Sequence, residues 1–162
     1  SPLADEAPAA DADAVFLPGG YPELHAGRLA AARRFLDGLR AAAPVGTTIY
    51  GECGGYMVLG KGLVDAAGTR HEMAGILGLE TSFAARRLHL GYRAATLLGP
   101  SPLGAAGTAF RGHEFHYASV ISEDTGQPLF AIADAGGAPL GSAGARRGAV
   151  MGSFVHLIDR WA

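Results

Sequence analysis

The stretch Tyr50-Gly51-Glu52-Cys53-Gly54-Gly55-Tyr56 carries the single cysteine of the 162-residue chain, with glycine at −2, +1 and +2 from the thiol. Small residues at these places permit a sharp strand-to-helix turn and close approach of a substrate, as in a nucleophile elbow. A cysteine at such a turn faces the free N–H groups that open a helix. These favour thiolate over thiol, so a pKa below the reference of about 8.5 is expected. The Gly54 N–H would then point toward a developing oxyanion. An inert core thiol needs none of this spacing.

A thiol nucleophile needs a base within hydrogen-bond reach. Histidines stand at positions 25, 71, 89, 113, 116 and 156. His156 follows the apolar run 149–155, and is expected at the end of a buried strand, where catalytic groups gather in open α/β sheets. His113 and His116 compete with it, and with Glu114 between them could suggest a metal site. On a strand the two rings would point to opposite faces, so no metal is expected there. His25, His71 and His89 read as surface or capping residues. The run from Gly55 to Gly62 satisfies G-x-x-x-x-G-K. However, Gly62 stands where Ser or Thr would hold magnesium, and the intervening residues are bulky and apolar. It is not read as a phosphate loop.

The elements that must position these groups alternate in kind. Ala14-Val15-Phe16-Leu17 is a short apolar run stopped by Pro18-Gly19-Gly20, which suits a strand buried on both faces. Pro22 opens a helical pattern over 23–43, weakened at Gly27 and Gly38 and ended by Pro44 and Gly46. Thr47-Thr48-Ile49-Tyr50 reads as a second strand beside the first, running into the cysteine turn and an apolar helix. Two such rounds point to an α/β sheet with parallel neighbours. Beyond residue 88 the pattern is mostly strand and turn, with surface loops at 104–108 and 136–148 and a short closing helix at 154–161.

Composition narrows the class. The chain is 49% hydrophobic and 17% charged, so it is neither disordered nor a coiled coil. Thirteen basic against fifteen acidic side chains give a net charge of −2, which offers a phosphate backbone no attraction. Nucleic acid is not an expected partner. No stretch reaches about 18 apolar residues, so no membrane span is expected. One cysteine without a signal peptide favours the cytoplasm.

Five ordered blocks resemble the class I glutamine amidotransferase domain of cobyrinate and hydrogenobyrinate a,c-diamide synthases. They are Leu17-Pro18-Gly19-Gly20-Tyr21-Pro22-Glu23, the cysteine segment through Gly60, Leu90-Gly91-Tyr92-Arg93, Arg111-Gly112-His113-Glu114-Phe115-His116-Tyr117, and Gly152-Ser153-Phe154-Val155-His156. Cobyric acid synthases, and the amidotransferase acting on peptidoglycan lipid precursors, usually carry Ile where Glu52 stands and lack the His-Glu-Phe-His run.

The resemblance implies a three-layer flavodoxin-like α/β fold with a mostly parallel sheet, lacking its first strand and helix. Residues 1–162 would be one N-terminally truncated glutaminase domain, without the ATP-binding synthetase domain that precedes it in the family. It implies Cys53 as nucleophile, His156 as its base, and N–H groups near Gly20 and Gly54 as the oxyanion hole. Other class I amidotransferases place Glu two residues after the histidine, where this chain has Ile158. Asp159 and Glu114 are the candidate orienting carboxylates, and Glu23, Glu52, His113 and His116 are candidates for lining the site. No cofactor is implied in this part, since ATP and magnesium belong to the missing N-terminal domain. The implied partners are glutamine, that synthetase domain and a corrin substrate, with a second copy of the chain as a further candidate. The implied reaction is amidation of the a and c acetate groups in cobalamin biosynthesis. Two alternatives stand beside it: the same role toward nickel sirohydrochlorin, and a non-catalytic flavodoxin-like partner-binding domain.

Overall fold

A computed structural model describes residues 1–124 and 127–161. In chain order the strands are β1 (Ala14–Leu17), β2 (Thr48–Glu52), β3 (Gly62–Val64), β4 (Arg70–Glu72), β5 (Leu79–Ser82) and β6 (His89–Leu97). They continue with β7 (Ala109–His116), β8 (Ser119–Glu123), β9 (Pro128–Asp134), β10 (Pro139–Arg147), β11 (Val150–Ser153) and β12 (Val155–Trp161). The helices are α1 (Ala26–Ala31), α2 (Arg33–Ala42) and α3 (Gly54–Leu59). Eight strands form one sheet in the order β1-β2-β11-β10-β9-β6-β7-β12, and a small second sheet runs β4-β3-β5-β8.

The two strands read from apolar runs are parallel neighbours, paired from Ala14↔Thr48 to Leu17↔Gly51. The main sheet as a whole is mixed rather than mostly parallel. Only β1–β2 and β2–β11 are parallel, while the pairings from β11 onward to β12 are antiparallel. The reason lies in the connections. A parallel crossover needs a long excursion, which α1 and α2 fill between β1 and β2, whereas the second half is joined by turns.

The layers follow from the same cause. Ile49 and Val150 enter one core with Leu29, Phe35, Leu39 and Leu59 of the helices. Their neighbours Tyr50 and Met151 enter a second core with Phe110, Phe130 and Val155. Burial on both faces explains why β2 and β11 read as continuous apolar runs. Among the described residues no helix contributes to the second core, so the expected third layer is absent there. β1, expected to be buried on both faces, is instead the sheet edge, with Phe16 57% exposed and only Leu17 buried.

Three local expectations change. The 23–43 pattern divides into a 3-10 turn (Pro22–His25), α1 and α2, broken at Ala32 rather than at either glycine. The break is held from a distance: the Asp5 carboxylate accepts the Phe35 N–H at 2.9 Å, capping the first turn of α2. Residues 136–148 contain β10, a Gly/Ala-rich strand kept extended by partners on both sides. Residues 154–161 are not a helix; Phe154 interrupts the run and β12 pairs with β7.

β11 and β12 are consecutive in the chain but stand third and eighth in the sheet order. The sheet therefore coils, and its last strand returns beside β2. The Leu157 N–H donates to Glu52 Oε1 at 3.1 Å, joining those two strands. Among the described residues no helix is long and apolar enough to cross a membrane.

Candidate active site

Cys53 sits between β2 and α3 with φ 48° and ψ −105°. Asp5 is the other non-glycine residue of positive φ among those described. Such strain persists where surroundings over-determine it. Here the Cys53 N–H donates to the Ser153 carbonyl at 2.8 Å, and its own carbonyl accepts the Met57 N–H at 3.1 Å. A side chain at Gly55 would overlap the Leu17 carbonyl, so glycine there lets α3 lie directly on β1. The expected elbow is present.

The thiol opens on a pocket of about 270 Å³ whose lining includes Gly20, Glu23, His116 and His156. Of the residues expected around Cys53, these share its cavity. Gly19, Tyr21, Met57, Phe83, Phe115 and Tyr117 line it too, and were not expected there as site residues. The Cys53 thiol donates to the Phe115 carbonyl at 3.7 Å, and the backbone N–H groups of Gly54 and Gly20 act on the sulfur to pull its pKa down. Burial is the larger effect, and with the charges of Glu23 and Glu52 it pushes the thiol up to about 11. The expectation of a depressed pKa is thus reversed. The residue is only 5% exposed, and removing it from water costs the anion more than two N–H groups return.

His156 is the second residue of β12, not the end of the run before it. Its ring stacks on His113 directly across the strand pair, with centroids 4.8 Å apart and planes at 7°. Gly19 faces the ring so closely that a Cβ there would overlap it. Burial, and secondarily the His113 and His116 charges, lower the His156 pKa, while Glu52 opposes them. Near neutrality the resting pair is therefore a neutral thiol and a neutral imidazole. Alkylation of Cys53 by iodoacetamide should accordingly be slower at pH 7.5 than that of a small free thiol. Its rate should still be rising above pH 9, and a plateau below pH 8 would contradict the geometry.

The carboxylates are arranged otherwise than expected. Glu114 accepts from Arg93 and His116, each at 2.9 Å. Asp159 is half exposed and lies 3.9 Å from Arg111. It is Glu52, expected only to line the site, whose Oε2 stands 3.7 Å from His156 Nδ1. The available signal was the acidic residue immediately before the cysteine.

His113 and His116, three positions apart on β7, take different partners, His113 stacking on His156. His116 instead stacks on His89 and Phe154, at 4.6 and 4.0 Å. His89, expected to be a surface or capping residue, is half-buried with its ring stacked on His116. His89, Glu114 and His116 bring ligand atoms within 4.8 Å of one another, close enough to hold a cation. The carboxylate there is already paired with the Arg93 guanidinium, which a metal would have to displace. Within the Gly55–Gly62 segment, residues 55–59 belong to helix α3 and are buried, Gly60 ends the helix and Gly62 opens β3, which leaves no loop to cradle a nucleotide phosphate.

Comparison with known proteins bears on this arrangement. Residues 1–160 match the CobB/CobQ-like glutamine amidotransferase domain. The chain is 60% identical over 159 residues to a hydrogenobyrinate a,c-diamide synthase of Brucella abortus, and 60% over 158 residues to that of Rhodobacter capsulatus. Each match covers 98% of this chain but 36% of the relative, so the chain spans about a third of the length of these proteins. Among solved structures it resembles PurLQS from Thermotoga maritima, with TM-score 0.60 and 18% identity over 91% of this chain and 70% of that one. A glutamine amidotransferase crystal structure gives TM-score 0.54 and 20% identity, covering 89% and 70%. At these identities the two structures speak for the fold alone, a class I amidotransferase α/β fold.

Proposed function

Because this chain belongs to the CobB/CobQ-like glutamine amidotransferase domain family, we propose that its pocket hydrolyses glutamine through Cys53 and His156. One observation carries the reading: a cysteine in a strained turn shares a pocket with a histidine, while two backbone N–H groups converge on its sulfur.

The chemistry follows from the neutral resting pair. His156 takes the Cys53 proton as sulfur attacks the side-chain amide carbon of glutamine, so the buried thiolate exists only beside its imidazolium. The tetrahedral oxyanion that forms is held by the N–H groups of Gly20 and Gly54. His156 returns its proton to the departing nitrogen, ammonia leaves, and a thioester remains. Water then attacks the thioester with His156 as base, releasing glutamate and restoring the thiol. Glu23, the one carboxylate on the pocket wall among the described residues, supplies negative charge for the α-ammonium group of the substrate.

The names of relatives 54–60% identical support hydrogenobyrinate as the acceptor, amidated at its a and c carboxylates in cobalamin biosynthesis. In this reading the chain is the glutaminase part of a carbon–nitrogen ligase acting in the cytoplasm. A synthetase part of the same enzyme binds ATP and magnesium and activates the carboxylates. The test supplies the full ligase with L-glutamine, magnesium and ATP, and either hydrogenobyrinate or nickel sirohydrochlorin. Glutamate release matched to diamide formation on hydrogenobyrinate is expected. Amidation of the nickel compound alone would overturn the acceptor, and absence of glutamate release would overturn the reaction.

A further inference from the structure

Glu52 occupies an unusual place. It ends β2 and directly precedes the cysteine, yet its carboxylate reaches across the closing gap of the coiled sheet to β12. Oε1 accepts the Leu157 N–H at 3.1 Å, and Oε2 stands 3.7 Å from Nδ1 of His156. The Glu52 side chain is 11% exposed and that of His156 is 23% exposed, so water screens their charges only partly. One oxygen is thereby anchored by backbone and the other faces the imidazole. The position two residues after the histidine holds Ile158, which is 62% exposed and cannot accept a proton.

We propose that Glu52 is the positioning carboxylate of this site, acting on Cys53 through His156 from the opposite side of the sheet closure. The proposal rests on the reading of Cys53 and His156 as the reacting pair. Glu52 favours the tautomer with the proton on Nδ1, leaving Nε2 as the base. It also stabilises the imidazolium that appears when the thiol is deprotonated. The groups facing His156 are Glu52 from β2 and His113 and His116 from β7, with Cys53 and Glu23 in the shared pocket. Of the charges that act on the ring, those of His113 and His116 disfavour its charged form and that of Glu52 favours it. Its carboxylate offsets the two histidines, which would otherwise make protonation of His156 harder. Because the carboxylate is carried by the residue next to the nucleophile, the turn that strains Cys53 also aims the group that orients its base.

The test compares E52Q, E52A, E52D and H156A in the full ligase, measuring glutamate release against pH and glutamine concentration. An amide oxygen at position 52 can still accept the Leu157 N–H, so E52Q keeps the strand closure and removes only the charge. It should lower kcat by about ten- to a hundredfold while KM for glutamine changes little. The acidic limb of its pH profile should move to lower pH, because the base loses the neighbour that raises its pKa. E52A should add a lower melting temperature to the same loss, and E52D should recover part of kcat. An E52Q enzyme with wild-type kcat and an unmoved acidic limb, beside an inactive H156A, would overturn the proposal alone. A fully active H156A would overturn the reacting pair and this proposal together.

Discussion

Replacement of Cys53 by alanine is expected to reduce glutamine-dependent amidation to background while amidation driven by added ammonia continues. The nucleophile is the one group in the pocket that can hold the glutamyl unit as a thioester. No neighbouring side chain substitutes for it, because the pocket wall otherwise offers glycines, aromatics, Met57, histidines and Glu23. Activation of the acceptor carboxylates, which we assign to the synthetase part, does not use the sulfur. Removal of one buried sulfur leaves a small void, and alanine must still occupy the positive-φ turn. A check of folding by circular dichroism therefore accompanies the assay. Loss of ammonia-dependent activity in a folded variant would contradict the division of labour.

His156→Ala is expected to lower glutaminase turnover by at least about a hundredfold, the lower end of what a positioned acid–base group contributes. The burden on the histidine is heavier than a low-pKa cysteine would impose. Burial holds the thiol up to about 11, so almost none is ionised near neutrality without a base to receive the proton. His113→Ala removes a stacking partner rather than the base and should lose far less. It also removes a neighbour that lowers the His156 pKa, so its acidic limb should move upward. Glutamate release at saturating glutamine for the two variants separates the roles. A silent His113→Ala beside a near-wild-type His156→Ala would reverse them.

The elbow was legible because glycine spacing is a local property. Gly51, Gly54 and Gly55 announce a turn that other residues cannot make, and Gly55 lies against the Leu17 carbonyl as that spacing demands. The strands around it were legible because a strand buried on both faces shows an unbroken apolar run. The same rule misled at β1, where an apolar run forms an edge, and at β10, where glycine and alanine conceal a strand. In both cases the deciding partner lies far away in the chain. At Ala32 the helix break is secured by Asp5, about thirty residues earlier, and no helix pattern contains that information.

Residue types and local spacing thus determined the nucleophile candidate, its turn, its parallel strand pair and the family of the chain. Only the tertiary structure decided the charge state and the carboxylate. The thiol pKa depends on how much water the folded pocket excludes, and burial there outweighs the local N–H groups that the turn supplies. The carboxylate beside His156 depends on the coiling of the sheet, which brings β12 back to the end of β2. That closure sets Glu52 and His156, 104 positions apart, in charge contact and leaves Glu114 to Arg93 and His116. Sequence carries the short-range geometry of a turn, whereas desolvation and long-range pairing exist only once the chain has closed on itself.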